Sequence, residues 1–140
     1  MIVKLRESYR AYRISPDDSN RLVLIFDPIG EQANFVFAIE IFDIGGRTPP
    51  NVHQEAQEMF YVLSGQGRAY CDGKQVMLRR GDSMLLPPGT THQIENTGTD
   101  RLYCLTMMVP NEEFAELIRT GTPEAIDDAD WAVIRGSLPA

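Results

Sequence analysis

The chain has 140 residues, 43% of them apolar and 24% charged, and a formal charge of -7 at pH 7. That length suits one hydrophobic core, and the composition excludes collagen-like, disordered and coiled-coil classes. The acidic balance has the wrong sign for a surface that neutralises phosphates or anionic head groups, so neither nucleic acid nor a membrane surface is an expected partner.

The amino-terminal extension is expected over residues 1–30, and its first part, Met1 to Ser15, interleaves Lys4, Arg6, Arg10 and Arg13 with single apolar residues. It lacks the continuous apolar stretch of a secretory signal. The longest apolar runs, Leu22 to Phe26 and Phe35 to Ile39, are five residues each, against the roughly 20 needed to span a bilayer. Two cysteines, Cys71 and Cys104, are too few for a disulfide framework and are expected as reduced, small core residues. Together these features lead us to expect a cytoplasmic protein.

Eight short runs rich in apolar, β-branched and aromatic residues read as strands. In chain order they are Leu22 to Phe26, Phe35 to Phe42, Met59 to Ser64, Arg68 to Cys71, Gln75 to Leu78, Ser83 to Leu86, His92 to Glu95, and Leu102 to Val109. Gly45-Gly46, Pro49-Pro50, Asp72-Gly73, Gly81-Asp82 and Pro87-Pro88-Gly89 punctuate them. Frequent turns between short strands predict an all-β sandwich or barrel. Asp72-Gly73 predicts a two-residue hairpin, because a type I′ turn needs positive φ at both central positions. Phe35 to Phe42 is apolar on both faces, so it needs cover from a second copy of the chain or from the carboxy-terminal helices.

Helical periodicity appears only in the acidic tail, residues 110–140. Asn111 is expected to cap a first helix, with Glu112 and Glu113 in its first turn, an apolar stripe of Phe114, Leu117 and Ile118, and a stop at Gly121. Thr122 and Pro123 are expected to open a second short helix that leads to Trp131 and Val133. No internal repeat or linker divides the chain, so a single domain is expected over residues 1–140.

The chemistry points to the two histidines. Alternation along the strand that begins at Glu58 puts Glu58, Phe60 and Val62 on one face, which is apolar apart from the carboxylate. An inward carboxylate in apolar company needs a cation, a hydrogen-bond partner or a proton. His92 and Ile94 share a face in the same way, and His53 lies five residues before Glu58. Two inward imidazoles and one inward carboxylate form a metal-ligand set of the two-His-one-carboxylate kind.

At these positions the sequence resembles the cupin superfamily. Gly81, Pro87, Gly89, His92 and Asn96 reproduce the family's second motif in full. Gly45, His53, Glu58 and Gly65 reproduce the first, with Asn51 standing where its first histidine is expected. The resemblance covers about residues 35–109 and implies a double-stranded β-helix, or jelly roll, with the short helices packed outside. It also implies one divalent ion held by His53, Glu58 and His92. Asn51 either completes that set with its amide oxygen or bonds to a water or substrate on the ion.

Fe(II) is the favoured ion, and Zn(II), Mn(II), Ni(II) and Cu(II) are compatible with the same donors. Phe37, Phe60, Val62, Met84, Leu86 and Ile94 are candidates for the substrate pocket, or else ordinary barrel filling. Arg47, Gln54 and Gln57 flank the expected mouth. The implied activity is metal-dependent chemistry on a small oxygenated molecule, with a dioxygenase-type oxidoreductase foremost. An isomerase or lyase, or a non-catalytic small-molecule sensor, stands as the alternative. No helix-turn-helix pattern follows the barrel, which argues against a one-chain transcription regulator.

Overall fold

A computed structural model describes residues 1–136. After a 3-10 turn at Arg6–Ser8, ten strands run in chain order: β1 (Arg10–Arg13), β2 (Asn20–Phe26), β3 (Val36–Phe42), β4 (Gln57–Ser64), β5 (Gln66–Cys71), β6 (Lys74–Arg79), β7 (Ser83–Leu86), β8 (His92–Asn96), β9 (Leu102–Val109) and β10 (Thr122–Glu124). Three short helices accompany them, α1 (Pro28–Glu31), α2 (Phe114–Arg119) and α3 (Asp128–Arg135). All eight expected strands are present. The strands form a seven-stranded sheet in the order β10-β1-β2-β3-β9-β4-β7 and a three-stranded sheet in the order β6-β5-β8, with every pairing antiparallel. This is a jelly roll.

The β5–β6 hairpin turns at Asp72 and Gly73, with φ of 47° and 78°, and pairs Cys71 with Lys74. Both values lie where a type I′ turn requires them. Between the sheets, Phe42, Val62, Ala69, Leu78, Leu86, Ile94, Leu102 and Cys104 close the far end of the roll with Phe60. Cys104 is fully buried, Cys71 packs at the edge of this cluster, and both are free thiols. Among the described residues, no helix is long and apolar enough to cross a membrane.

The tail departs from expectation at two places. Thr122 and Pro123 do not open a helix. They form β10, which pairs with β1 through Tyr12↔Pro123 and Arg13↔Thr122. Gly121 allows this pairing, because a Cβ there would collide with the Arg13 carbonyl oxygen. Pro123 is tolerated because β10 is an edge strand. The last helix starts later, at a capping box in which Asp127 accepts from the Asp130 amide and Asp130 accepts from that of Asp127. The first tail helix also starts later than Asn111 suggests. Glu112 and Glu113 sit in left-handed conformations, φ 50° and 64°, and Asn111 reaches over them to accept from the Ala115 amide at 2.8 Å.

Both faces of β3 are covered by the tail. Ala115 and Ile118 of α2 pack on Leu22, Leu24, Val36 and Ala38 on one side. Val133, Ile134 and Ile126 pack against the cluster of Val23, Ile25, Ile39 and Ile41 on the other. Ion pairs hold the helices there. Arg21 grips the fully buried Asp130 with two bonds of 2.7 and 3.1 Å, and the Tyr103 hydroxyl donates to the same carboxylate at 2.9 Å. Breaking one partner of such a buried pair costs about 3–5 kcal/mol, so this clamp fixes α3 on the sheet. Arg119 ties α2 to Asp27 at 2.6 Å.

Candidate metal centre

The two loops flanking the site are pinned to each other. The segment after β3 runs beside β8, with bridges Arg47↔Glu95 and Asn51↔His92. The Asn51 and His92 backbones exchange hydrogen bonds of 2.9 and 2.8 Å. Gly89, at φ 78°, turns the Pro87–Thr91 loop so that its amide donates to the His53 carbonyl at 2.8 Å. A side chain at that φ would be strained. Asn96 staples the far end, donating to the carbonyls of Phe42, Asp43 and Asp100. The motif residues thus set the backbone, and the backbone sets His53 and His92.

Glu58, His53 and His92 converge. His53 Nε2 and His92 Nε2 lie 2.8 and 3.0 Å from the same oxygen, Oε2 of Glu58. One donor atom from each residue falls within 4.8 Å of the others. Glu58 and His92 are buried, and His53 is half-buried at the cavity wall. The second Glu58 oxygen accepts from the Thr106 hydroxyl at 3.3 Å. His92 Nδ1 lies 3.2 Å from the Thr90 carbonyl, which can only accept, so Nδ1 carries a proton and Nε2 is the ring nitrogen presented to the cluster.

Burial pushes the Glu58 carboxyl up, but the bonds from His53 and His92 outweigh it and hold its pKa below the ordinary carboxylate range. The bond to Glu58 raises the His53 pKa against its partial burial. An ionised carboxylate between two imidazoles is a donor set that suits a divalent cation.

The cluster opens into a cavity of about 1160 Å³ between the sheets. Asn51, Phe60, Ile94 and Arg47 line it. The other pocket candidates lie elsewhere. Val62, Met84 and Leu86 are packed in the closed end of the roll. Phe37 has the opposite parity to Glu40 on β3 and faces outward among Ile39 and Ile41. Gln54 and Gln57 are not part of the cavity wall.

Two residues that sequence reasoning passed over enter the site. Glu40, only 6% exposed, lines the cavity, and the Asn20 amide donates to it at 3.0 Å. Burial, reinforced by the nearby Glu58 charge, pushes its pKa up to about 8. Its signal was a lone acid in a strand apolar on both faces. The second is Glu112, from the β9–α2 loop, which reaches the other side of His53. No local pattern announces it, because its contacts lie 56 to 58 residues away in sequence.

The family model for the cupin domain matches residues 38–108, half of the chain. The chain belongs to the cupin family. An uncharacterized protein of Methanocaldococcus jannaschii is 33% identical over 70 residues, 50% of this chain and 56% of that protein. An oxalate-binding protein of Thermotoga maritima is 35% identical over 57 residues, 41% of this chain and 47% of that protein. The matches thus span about half the length of these curated relatives. Among solved structures, a predicted oxalate decarboxylase of Thermotoga maritima superposes with a TM-score of 0.68 at 24% identity, covering 78% of this cupin and 99% of that chain. KdgF from Halomonas superposes with a TM-score of 0.67 at 17% identity, covering 79% and 96%. At these identities the structures share the fold.

Proposed function

We propose that this cupin is a mononuclear metal-dependent enzyme acting on a small oxygenated organic molecule, with dioxygenase-type oxidation as the reaction class. The observation that carries this reading is the convergence of His53, Glu58 and His92 at one end of a cavity large enough for such a substrate. A divalent ion there would supply Lewis acidity and, as Fe(II), the redox chemistry that activates dioxygen. Three protein donors leave coordination positions for a substrate with adjacent oxygens. Asn51, which lines the same cavity, would provide a neutral amide, as a fourth donor or as a hydrogen-bond partner. Phe60 and Ile94 supply apolar walls that limit water around the substrate.

Similarity to a protein named for oxalate binding favours a second reading, in which the chain binds a small acid without turning it over, or decarboxylates it. Anaerobic reconstitution with Fe(II), followed by oxygen uptake over diketones, catechols, hydroxy acids and oxalate, separates the readings. Oxygen consumption that depends on substrate supports oxidation. Saturable binding with no product, or release of carbon dioxide from the acid without net oxygen uptake, supports the second reading.

We also infer a homodimer. The outer face of β3-β9-β4-β7 aligns Phe37, Met107, Met59 and Leu85 in one row and Ile39, Leu105 and Tyr61 in the next. Met59, Tyr61 and Leu85 remain 43%, 46% and 57% exposed, an apolar strip that the tail leaves bare. A second copy packed face to face would cover it. In sedimentation velocity, wild type is expected to run as a dimer and the Met59→Lys/Leu85→Lys double variant as a monomer; a monomeric wild type contradicts the inference. The two free thiols fit a reducing compartment such as the cytoplasm.

A further inference from the structure

Glu112 lies outside the stretch that matches the family model, in the turn between β9 and α2. Its left-handed backbone, continued by Glu113, folds the side chain back over the loop that carries His53. Oε1 accepts from the amides of Glu55 and Ala56 at 2.6 and 3.2 Å, and Oε2 accepts from that of Gln54 at 3.3 Å. Oε2 also lies 3.5 Å from His53 Nδ1. The opposite ring nitrogen, Nε2, is the one that faces Glu58. The His53 ring is therefore held between two carboxylates, one at each nitrogen.

Three amide bonds explain why the Glu112 carboxylate stays put. A glutamate carboxyl is anionic at neutral pH. An anion opposite Nδ1 favours the tautomer with the proton on Nδ1, which frees the Nε2 lone pair for an ion. The same residue fixes the 54–56 loop that leads into β4 and Glu58. One side chain from the tail thus orients a ligand and steadies the approach to a second.

We propose that Glu112 is a positioning residue of the metal centre, setting the tautomer and orientation of His53 from outside the shared cupin motifs. The proposal rests on the metal reading of the preceding subsection. Outer partners of this kind typically change metal affinity by about 10- to 100-fold.

The test uses the full chain with Zn(II), Mn(II) and Fe(II), each titrated in competition with a chromophoric chelator. Glu112→Gln keeps a carbonyl oxygen for the loop amides and removes the charge, whereas Glu112→Ala removes both. The expected result for Glu112→Gln is a loss of about tenfold or more in affinity, with the thermal midpoint in chelator unchanged. In the Zn(II)-loaded protein, the slowly exchanging His53 Nδ1–H NMR signal of wild type is expected to disappear in the variant. A purely structural role for Glu112 would leave both readouts at wild-type values in Glu112→Gln, and that result would overturn the proposal. If wild type itself takes up none of the three ions, the metal reading falls, and this role falls with it.

Discussion

His92→Ala and Glu58→Ala each abolish retention of a divalent ion through gel filtration, whereas Asn51→Ala lowers it by only about tenfold. The difference follows from what each side chain contributes. Glu58 is the carboxylate that both imidazoles address, and its removal takes the one anionic donor from the set. His92 is held by its backbone bonds to Asn51 and by the Thr90 carbonyl, so its replacement removes a donor that the fold had already oriented. Asn51 is a neutral donor on a backbone that stays paired with His92 whatever its side chain, so its loss removes at most one weak ligand. Metal analysis of the three desalted proteins checks this order. Equal retention in all three would undo the ligand assignment.

Glu40→Gln makes the metal-free protein more stable at neutral pH, by roughly 3 kcal/mol at pH 7. The Glu40 carboxyl is raised from an ordinary value of 4.5 to about 8 in the folded chain, chiefly by burial. The folded state therefore holds the proton more tightly than the unfolded state does. Stability from this group is fully present below about pH 4.5 and is lost as pH rises towards 8. Glutamine mimics the neutral acid, can still accept from Asn20, and has no proton to lose. Urea melts in the presence of chelator should show the two proteins nearly equal at pH 4 and diverging up to pH 8. A difference that does not change with pH would contradict the assignment of a buried, protonated Glu40.

A carboxyl kept neutral in an apolar wall is costly for stability alone, which directs attention to the cavity it lines. On our reading Glu40 offers an O–H donor to a substrate in the cavity it lines. Glu112 works from the opposite side, on the ligand rather than the substrate. The two acids thus have different environments and different protonation at pH 7, and the environment of each explains its state.

The barrel and the histidine-carboxylate trio were legible in the sequence because both obey local rules. Strand alternation put Glu58 with Phe60 and His92 with Ile94, and motif spacing placed glycines at Gly45, Gly65, Gly81 and Gly89, all of which adopt positive φ. What escaped depended on contacts distant in sequence. β10 forms only because β1 offers it an edge, and no short window containing Thr122 and Pro123 records that edge. Glu112 and Glu113 look like helix-opening acids until the loop amides of residues 54–56 are brought beside them. Phe37, Val62, Met84 and Leu86 have the composition of a pocket wall, but strand parity turned the first outward and the closed end of the roll absorbed the rest.

The thermal midpoint of the chelated protein, measured again with Fe(II), Mn(II) and Zn(II) in turn, tests the shared ion most directly. An ion that binds only the folded chain stabilises it by about 2.7 kcal/mol at a hundredfold excess over its dissociation constant, which corresponds to a rise of roughly 5–10 °C. We expect that rise with at least one ion in wild type and none in His92→Ala. A midpoint indifferent to all three ions and to chelator would contradict the account.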